Sequence, residues 1–219
     1  MATTYTLHPN TPQSRTINQI RDDLQHGAVM LYPTDTVYAI GCDLNSKSAI
    51  ERVRQIKQQS NDKPLTFLCP SLSDISRYAI VSDNAYRLMR RLIPGPYTFL
   101  LPATKLVPKL VMNPKRKTTG IRVPDHIICQ RLLVELGNPI ISTSANLLQN
   151  GTPRLKTHPL PTRFDLFDAL AKQVDIILDS GEETTDKVST ILGLTDEEPI
   201  VLRRGLGWEE VADLTVDVR

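Results

Sequence analysis

Ala28-Val29-Met30-Leu31-Tyr32-Pro33-Thr34-Asp35-Thr36-Val37-Tyr38, running on to Gly41, is the stretch on which the fold turns. Residues 28–32 are apolar or aromatic without interruption and are closed by a proline. They read as a buried strand, Ala28–Tyr32, feeding a loop. The loop opens with two threonines around an aspartate. A second stretch repeats the pattern: Pro139–Ser142 reads as a strand and leads into Ser142-Thr143-Ser144-Ala145-Asn146. Backbone N–H groups and short polar side chains at strand ends approach an anionic ligand closely, and α/β sheets bind ligands in the crevice outside those ends. Together the two stretches predict a cleft for a phosphate or an amino acid.

Working outward, Ile17, Ile20 and Leu24 recur at helical spacing within Ser14–His26, and Gly27 supplies a stop. A second helix takes Asn45 or Ser48 as cap and Glu51 as the partner of a Ser48 capping box. It presents Ile50, Val53 and Ile56 on one face and ends near Gln58. Leu65–Cys69, Tyr97–Leu101 and Thr119–Val123 read as strands, and Ser71–Tyr78, Asp83–Leu92 and Asp125–Leu136 as helices, the last stopped at Gly137. Past a looser connection, Pro153–Pro161, come a helix at Arg163–Lys172 and strands at Val174–Leu178, Val188–Leu192 and Ile200–Arg203. The tail beyond Gly207 is acidic and weakly patterned, which predicts partial mobility. Helix and strand alternate throughout, so the expected fold is α/β: an open, mixed β-sheet flanked by helices, in a single domain over residues 1–219.

Hydrophobic residues make up 40% and charged residues 23% of the chain, near globular averages. No apolar run approaches the roughly 18–20 residues of a membrane span. Residues 1–15 lack a basic stretch followed by an apolar one, so a cytoplasmic location is expected. Cys42, Cys69 and Cys129 are odd in number, far apart and outside any CxxC spacing. That predicts reduced, buried thiols and no metal site. A net charge of +2 is too small to argue for nucleic acid by itself. Lys105, Lys109, Lys115, Arg116, Lys117 and Arg122 nevertheless fall within eighteen positions, which predicts a basic face or rim. Lys115, Arg116 and Lys117 are the candidate RNA contacts, against the plainer alternative of a solvated loop.

No GxxxxGK[ST] or GxGxxG phosphate loop occurs, so a bound nucleotide needs another device. Lys57 and Lys63 flank the polar run Gln58–Asp62 and are candidates to set ammonium groups against phosphates. The rival is a pair of solvated lysines near a helix C-terminus. The four histidines, at 8, 26, 126 and 158, pair with no serine, and Ser144 lacks the glycines of a nucleophile elbow.

The order of motifs is PTDTVYxxG after a strand, a helix ending in Lys57, Pro-Gly-Pro-Tyr-Thr at 94–98, Gly-Ile-Arg-Val-Pro at 120–124, Ser-Thr-Ser-Ala-Asn at 142–146, Ser-Thr-Ile at 189–191 and Leu-Arg-Arg-Gly at 202–205. Over Ala28–Gly205 this order resembles the YrdC/YciO-like family. Tyr-Pro-Thr-Asp, Thr-Phe-Leu-Cys, Pro-Gly-Pro-Tyr-Thr-Phe and Lys-Arg-Lys-Thr-Thr-Gly-Ile-Arg look most like the YciO branch. The resemblance implies a twisted open α/β sheet of the YrdC-like fold with a positively charged concave face. It also implies an ATP-dependent L-threonylcarbamoyladenylate synthase, which makes threonylcarbamoyl-AMP and pyrophosphate from L-threonine, bicarbonate and ATP with Mg2+. Other tRNA-modification proteins then transfer the group to tRNA.

Carried over residue by residue, the resemblance puts Lys57, Ser144 and Asn146 at the reaction centre. Thr34, Thr36, Arg122, Ser142 and Ser189 fall around the amino acid, with Arg122 facing its carboxylate. Lys57, Lys63, Thr98, Ser144, Asn146 and Arg203 fall along the nucleotide. Plainer roles stand beside these: turn or helix caps for Thr34, Thr36, Ser144 and Asn146, and a structural salt bridge for Arg122.

One departure matters. The family's synthases carry Lys-x-Arg where this chain reads Lys57-Gln58-Gln59. Losing a guanidinium aimed at a phosphate costs about 2–4 kcal/mol of transition-state binding. Arg54, one turn earlier, and Lys63 are candidates to replace it. The missing charge keeps open a double-stranded RNA- or tRNA-binding, translation-associated protein, and also an enzyme that handles an adenylate differently.

Overall fold

A computed structural model describes all residues except 59–63, 146–147, 150–151, 154–161, 184, 197 and 218–219. The elements, in chain order, are β1 (Thr3–Thr6), α1 (Ser14–Gln25), β2 (Val29–Tyr32), β3 (Ala39–Asp43), α2 (Lys47–Lys57), β4 (Thr66–Leu68), α3 (Leu72–Tyr78), α4 (Asp83–Leu92), β5 (Tyr97–Pro102), β6 (Thr118–Arg122), α5 (Ile127–Leu136), β7 (Ile140–Ser144), β8 (Leu148–Gln149), β9 (Thr152–Pro153), α6 (Arg163–Leu170), β10 (Ile176–Asp179), β11 (Thr190–Gly193), β12 (Ile200–Arg203), α7 (Trp208–Val211) and β13 (Val216–Asp217). Among the described residues, eleven strands form one open sheet in the order β1-β10-β2-β3-β7-β4-β6-β5-β11-β12-β13, and β8 pairs with β9 apart from it. Parallel pairs (β1 with β10, β10 with β2, β4 with β6, β5 with β11) mix with antiparallel ones (β2 with β3, β3 with β7, β7 with β4, β5 with β6). The mixed α/β sheet expected from the sequence is the one observed.

The two-residue period of a strand sorts its side chains to opposite faces. Val29 and Leu31 of β2, Ile40 and Cys42 of β3, Phe67 of β4 and Ile141 of β7 join one core with α2, α3 and α4. Met30 and Tyr32, Ala39, Leu68 and Ile140 join the other, with Ile17, Ile20 and Leu24 of α1 and Ile128, Cys129, Leu132, Leu133 and Leu136 of α5. Each such side chain, fully buried, contributes about 1.5–3 kcal/mol. The second core stops short, because none of its buried residues comes from β5, β6, β11 or β12. On that half of the face the sheet is open, and the cleft lies there.

Several local expectations are corrected. Ala39–Asp43 is a strand pairing with both β2 and β7, so the Thr34–Thr36 segment is the bend of a hairpin. β7 runs on past Ser142 to Ser144, so Ser144 too is paired with β3 rather than in a loop beyond the strand, and Ser142, in the strand as expected, also faces β4. The α2 cap is Ser46, whose side chain accepts the Ala49 N–H, while Glu51 pairs with Lys47 at 3.9 Å. The capping box is formed by Thr162 and Asp165, at the start of α6. The described part of the tail makes specific contacts: Tyr97 donates to the Gly207 carbonyl (3.1 Å) and Glu210 Oε2 (2.7 Å), and β13 pairs with β12. Gly137 closes α5 as expected, in the left-handed region at φ 71°.

Candidate functional site

On the open half of the second face, alternate positions of neighbouring strands carry small or polar groups. Thr66, Arg122, Thr98, Ser142, Ser144 and Ser189 line one cleft of about 350 Å3, and Thr34, Thr36 and Arg203 close it at the sides. Gly120 leaves the floor low between Thr66 and Thr98, since a Cβ there would lie 3.2 Å from Thr66 Oγ1 and 3.5 Å from Thr98 Cγ2.

Short-range bonds fix the Thr34–Thr36 bend. Thr34 Oγ1 donates to the Val37 carbonyl (2.7 Å) and accepts the Thr36 N–H (3.1 Å), so the turn-capping role is real. From outside the bend, Thr185 donates through its N–H (2.9 Å) and Oγ1 (3.0 Å) to the Thr36 carbonyl. The Cys129 thiol of α5 lies 3.2 Å from the Pro33 carbonyl. Burial pushes that thiol above its usual range and lifts Cys42 and Cys69 to about 12, so all three are protonated, buried and free, as the spacing predicts.

Arg122 arrives at the end of β6 with 9% of its side chain exposed. Its Nη2 donates to Asp35 Oδ1 at 2.7 Å and its Nη1 to Thr36 Oγ1 at 2.9 Å. The structural salt bridge therefore exists, and Arg122 lines the cleft as well. On the opposite wall Arg203 donates through Nε (3.0 Å) and Nη2 (2.8 Å) to the Ser189 carbonyl. Its Nη2 also reaches Ser189 Oγ (3.0 Å), which in turn sits 2.9 Å from Thr98 Oγ1. Desolvation first, and then the like charge of Arg122, hold Arg203 below its ordinary pKa. Two guanidiniums that feel each other across a hydroxyl-lined cleft make a place for an anion.

Tyr32 crosses beneath this floor. Fully buried, its hydroxyl bonds Ser142 Oγ at 2.6 Å, and burial raises the phenol well above its ordinary value. Gly41 makes room: a Cβ there would stand 2.8 Å from the Ile141 carbonyl oxygen and 2.9 Å from the Tyr32 ring.

The structure thus brings Thr34, Thr36, Thr98, Arg122, Ser142, Ser144, Ser189 and Arg203 into one cleft. It leaves others elsewhere. Lys57 is buried in the last turn of α2 and is not among the described residues lining the cleft, although Pro64 and Thr66, just past residues 59–63, are. Arg54, whose Nε donates to the Leu110 carbonyl at 2.7 Å, is likewise not among the described residues lining the cleft. Lys63, Gln59 and Asn146 lie outside the described residues. Lys115, Arg116 and Lys117 are exposed in a turn held by Asn113, at the far end of β6 from Arg122. The four residue steps of β6 from Arg122 to Thr118, at about 3.3 Å each, already span roughly 13 Å, and the turn lies beyond them. The basic run is therefore split between an outer turn and the cleft rather than forming one face. Sequence reasoning missed Asp35 and Tyr32. Asp35 carried a signal, an acid between two candidate threonines with an arginine in a separate motif.

The model of the Sua5/YciO/YrdC family, described as telomere recombination, matches residues 22–205. The chain belongs to this family. It is 41% identical to the uncharacterized protein YciO of Escherichia coli K12, over 94% of this chain and 97% of that one, and the YciO crystal structure superposes with a TM-score of 0.84. The threonylcarbamoyl-AMP synthase of Vibrio vulnificus is 34% identical over 74% of this chain and 84% of its own. Pyrococcus abyssi Sua5, solved in complex with L-threonine, matches all of this chain and 62% of its own at 25% identity, with a TM-score of 0.85. Among the described residues no helix is long and apolar enough to cross a membrane.

Proposed function

We propose that this protein is an ATP-dependent synthase of the threonylcarbamoyl-AMP type, using the cleft between Arg122 and Arg203. The observation that carries the proposal is the pairing of two arginines from different strands over a floor of hydroxyls, in a chain whose relatives include such synthases. In the proposed reaction the amine of L-threonine combines with bicarbonate to give a carbamate and water. A carbamate oxygen then attacks the α-phosphorus of ATP, and pyrophosphate leaves. The carbamate and ATP are both anions, so the site must hold like charges together and spread the charge developing on phosphorus. Arg122 would take the carboxylate beside Thr34 and Thr36, while Arg203, Thr98 and Ser144 would take the phosphates, with Lys57, Lys63 and Asn146 entering from the adjoining segments. Among the described residues no cluster of acidic, cysteine or histidine side chains could hold a metal ion. Mg2+ would accordingly arrive on the ATP phosphates as part of the substrate.

Pyrophosphate release with Mg-ATP, bicarbonate and L-threonine tests this. Threonine-dependent turnover is expected, falling more than tenfold in Arg203→Ala. No threonine-dependent release above a heat-inactivated control would overturn it. Gln59→Arg, which restores the family's charge, is expected to raise turnover by about two to three decades, equivalent to about 2.7–4 kcal/mol.

The exposed Lys115–Lys117 turn, remote from the cleft, favours a second reading as a binder of tRNA or double-stranded RNA. Neutralising all three side chains should then weaken binding and flatten its salt dependence. An unchanged salt slope would remove this reading.

A further inference from the structure

Tyr32 is the place where the covered core touches the cleft. It pairs with Ala39 on β3, but its side chain runs across that strand over Gly41, whose own partner on β7 is Ser142. The Tyr32 hydroxyl ends 2.6 Å from Ser142 Oγ, a distance at which one of the two donates to the other. Both are able to donate, and the direction decides what Ser142 offers the cleft.

Counting partners gives the direction. Tyr32 is fully buried, and among the described residues its hydroxyl bonds nothing but Ser142. Burial also keeps the phenol protonated, since it raises the pKa well above the ordinary value. That proton therefore has one acceptor within reach, Ser142 Oγ. Were Ser142 the donor, the phenolic O–H would be stranded in the core at the full cost of an unsatisfied buried donor. With Tyr32 donating, nothing is stranded: Ser142 accepts on one side and turns its own proton to the cleft that it lines.

The hydroxyls of the hairpin bend are used differently. Thr34 gives its proton to the Val37 carbonyl, and Thr36 Oγ1, which accepts from Arg122, is left to give its own to Thr34 Oγ1 at 3.0 Å. Ser142 has no such acceptor among the described residues, so its proton is held for a ligand. A hydroxyl fixed as a donor before the ligand arrives needs no reorganisation to meet an oxyanion.

We propose that Tyr32 is a positioning residue of the cleft: it donates to Ser142 Oγ and thereby aims the Ser142 O–H at an oxyanion of the bound substrate, a carboxylate or a phosphate. The oxyanion rests on the cleft being the substrate site proposed above; the direction of the bond does not.

A neutron structure of the deuterated protein at neutral pD reads that direction without ligand or activity. Deuterium on the Tyr32 oxygen, pointing at Ser142 Oγ, is expected; deuterium on Ser142 pointing at Tyr32 would overturn the proposal. Calorimetric titration of L-threonine and, separately, of a non-hydrolysable Mg-ATP analogue reads the consequence and distinguishes carboxylate from phosphate. Tyr32→Phe keeps the ring in the core and removes only the hydroxyl, and it should weaken at least one of the two ligands three- to tenfold. Ser142→Ala should weaken the same ligand, and adding Tyr32→Phe to it should change the affinity less than twofold, because the phenol acts only through Ser142. A merely structural Tyr32 would lower affinity equally with or without Ser142. That result, or unchanged affinity for both ligands in Tyr32→Phe, would overturn the proposal alone. Wild-type protein that binds neither ligand would overturn the reading of the cleft and the proposal with it.

Discussion

The second face of the sheet has two halves built on the same alternation and filled with opposite chemistry. Under α1 and α5 the inward positions are Leu7, Met30, Tyr32, Ile140, Ile176 and Leu178, all essentially without exposure. Across β4, β6, β5 and the residue leading into β11 they are Thr66, Gly120, Arg122, Thr98 and Ser189, and a cleft takes the place of the helices. Position in the sheet decides the outcome: a covered half is held by apolar burial, and an open half by hydrogen bonds among side chains from distant strands. The two halves meet at Tyr32, whose ring belongs to the covered core and whose hydroxyl reaches Ser142 in the cleft.

Substitutions in each half should therefore separate stability from ligand binding, and the sharpest exception is Arg122. Although it lies in the open half, Arg122→Ala would strand Asp35 as a buried carboxylate, and chemical denaturation should show a loss of about 3–5 kcal/mol. A loss below 1 kcal/mol would mean that water already shares the pair. In the covered half, Leu132→Ala should cost about 2–5 kcal/mol by the same measurement, with turnover per folded molecule unchanged. At the meeting line, Gly41→Ala should cost about 1–3 kcal/mol, because its Cβ collides with backbone that cannot yield. It should also weaken ligand binding by displacing Tyr32 from Ser142. A pure stability effect would show that the Tyr32 hydroxyl does not set the cleft floor.

The smallest effect is a pH dependence. His126 has a folded-state pKa below its unfolded value, so the native state binds fewer protons. Its contribution is complete above the unfolded value, about 6.5, and is lost as pH falls from there towards the folded value. Denaturation midpoints measured between pH 8 and 5 should decline through this window, and His126→Leu should flatten the decline.

Much of the fold is legible because apolar periodicity is local. The run ending at Pro33 marks β2, and Ile17, Ile20 and Leu24 mark the buried stripe of α1. β3 escaped because Pro33 to Gly41 reads as one continuous ligand loop, which hides the strand beginning at Ala39. β1 escaped because Thr3-Thr4-Tyr5-Thr6, a threonine-rich strand at the sheet edge, is held by backbone pairing with β10, not by side-chain pattern. The polar end of β7 looked like a loop for the opposite reason: its serines are tolerated in a central strand only because they face a cleft. The identities of the hydroxyl and arginine groups were visible as motifs. Their bonds were not, since Arg122 and Asp35 stand 87 positions apart and only the sheet order brings them together.

The central claim is that the uncovered half of the sheet accepts anions between Arg122 and Arg203. A crystal of the protein soaked with L-threonine and a non-hydrolysable Mg-ATP analogue tests it most directly. The account predicts the threonine carboxylate beside Arg122 and phosphate oxygens beside Arg203 and Thr98. Both ligands elsewhere on the protein, with this cleft holding only water, would contradict it.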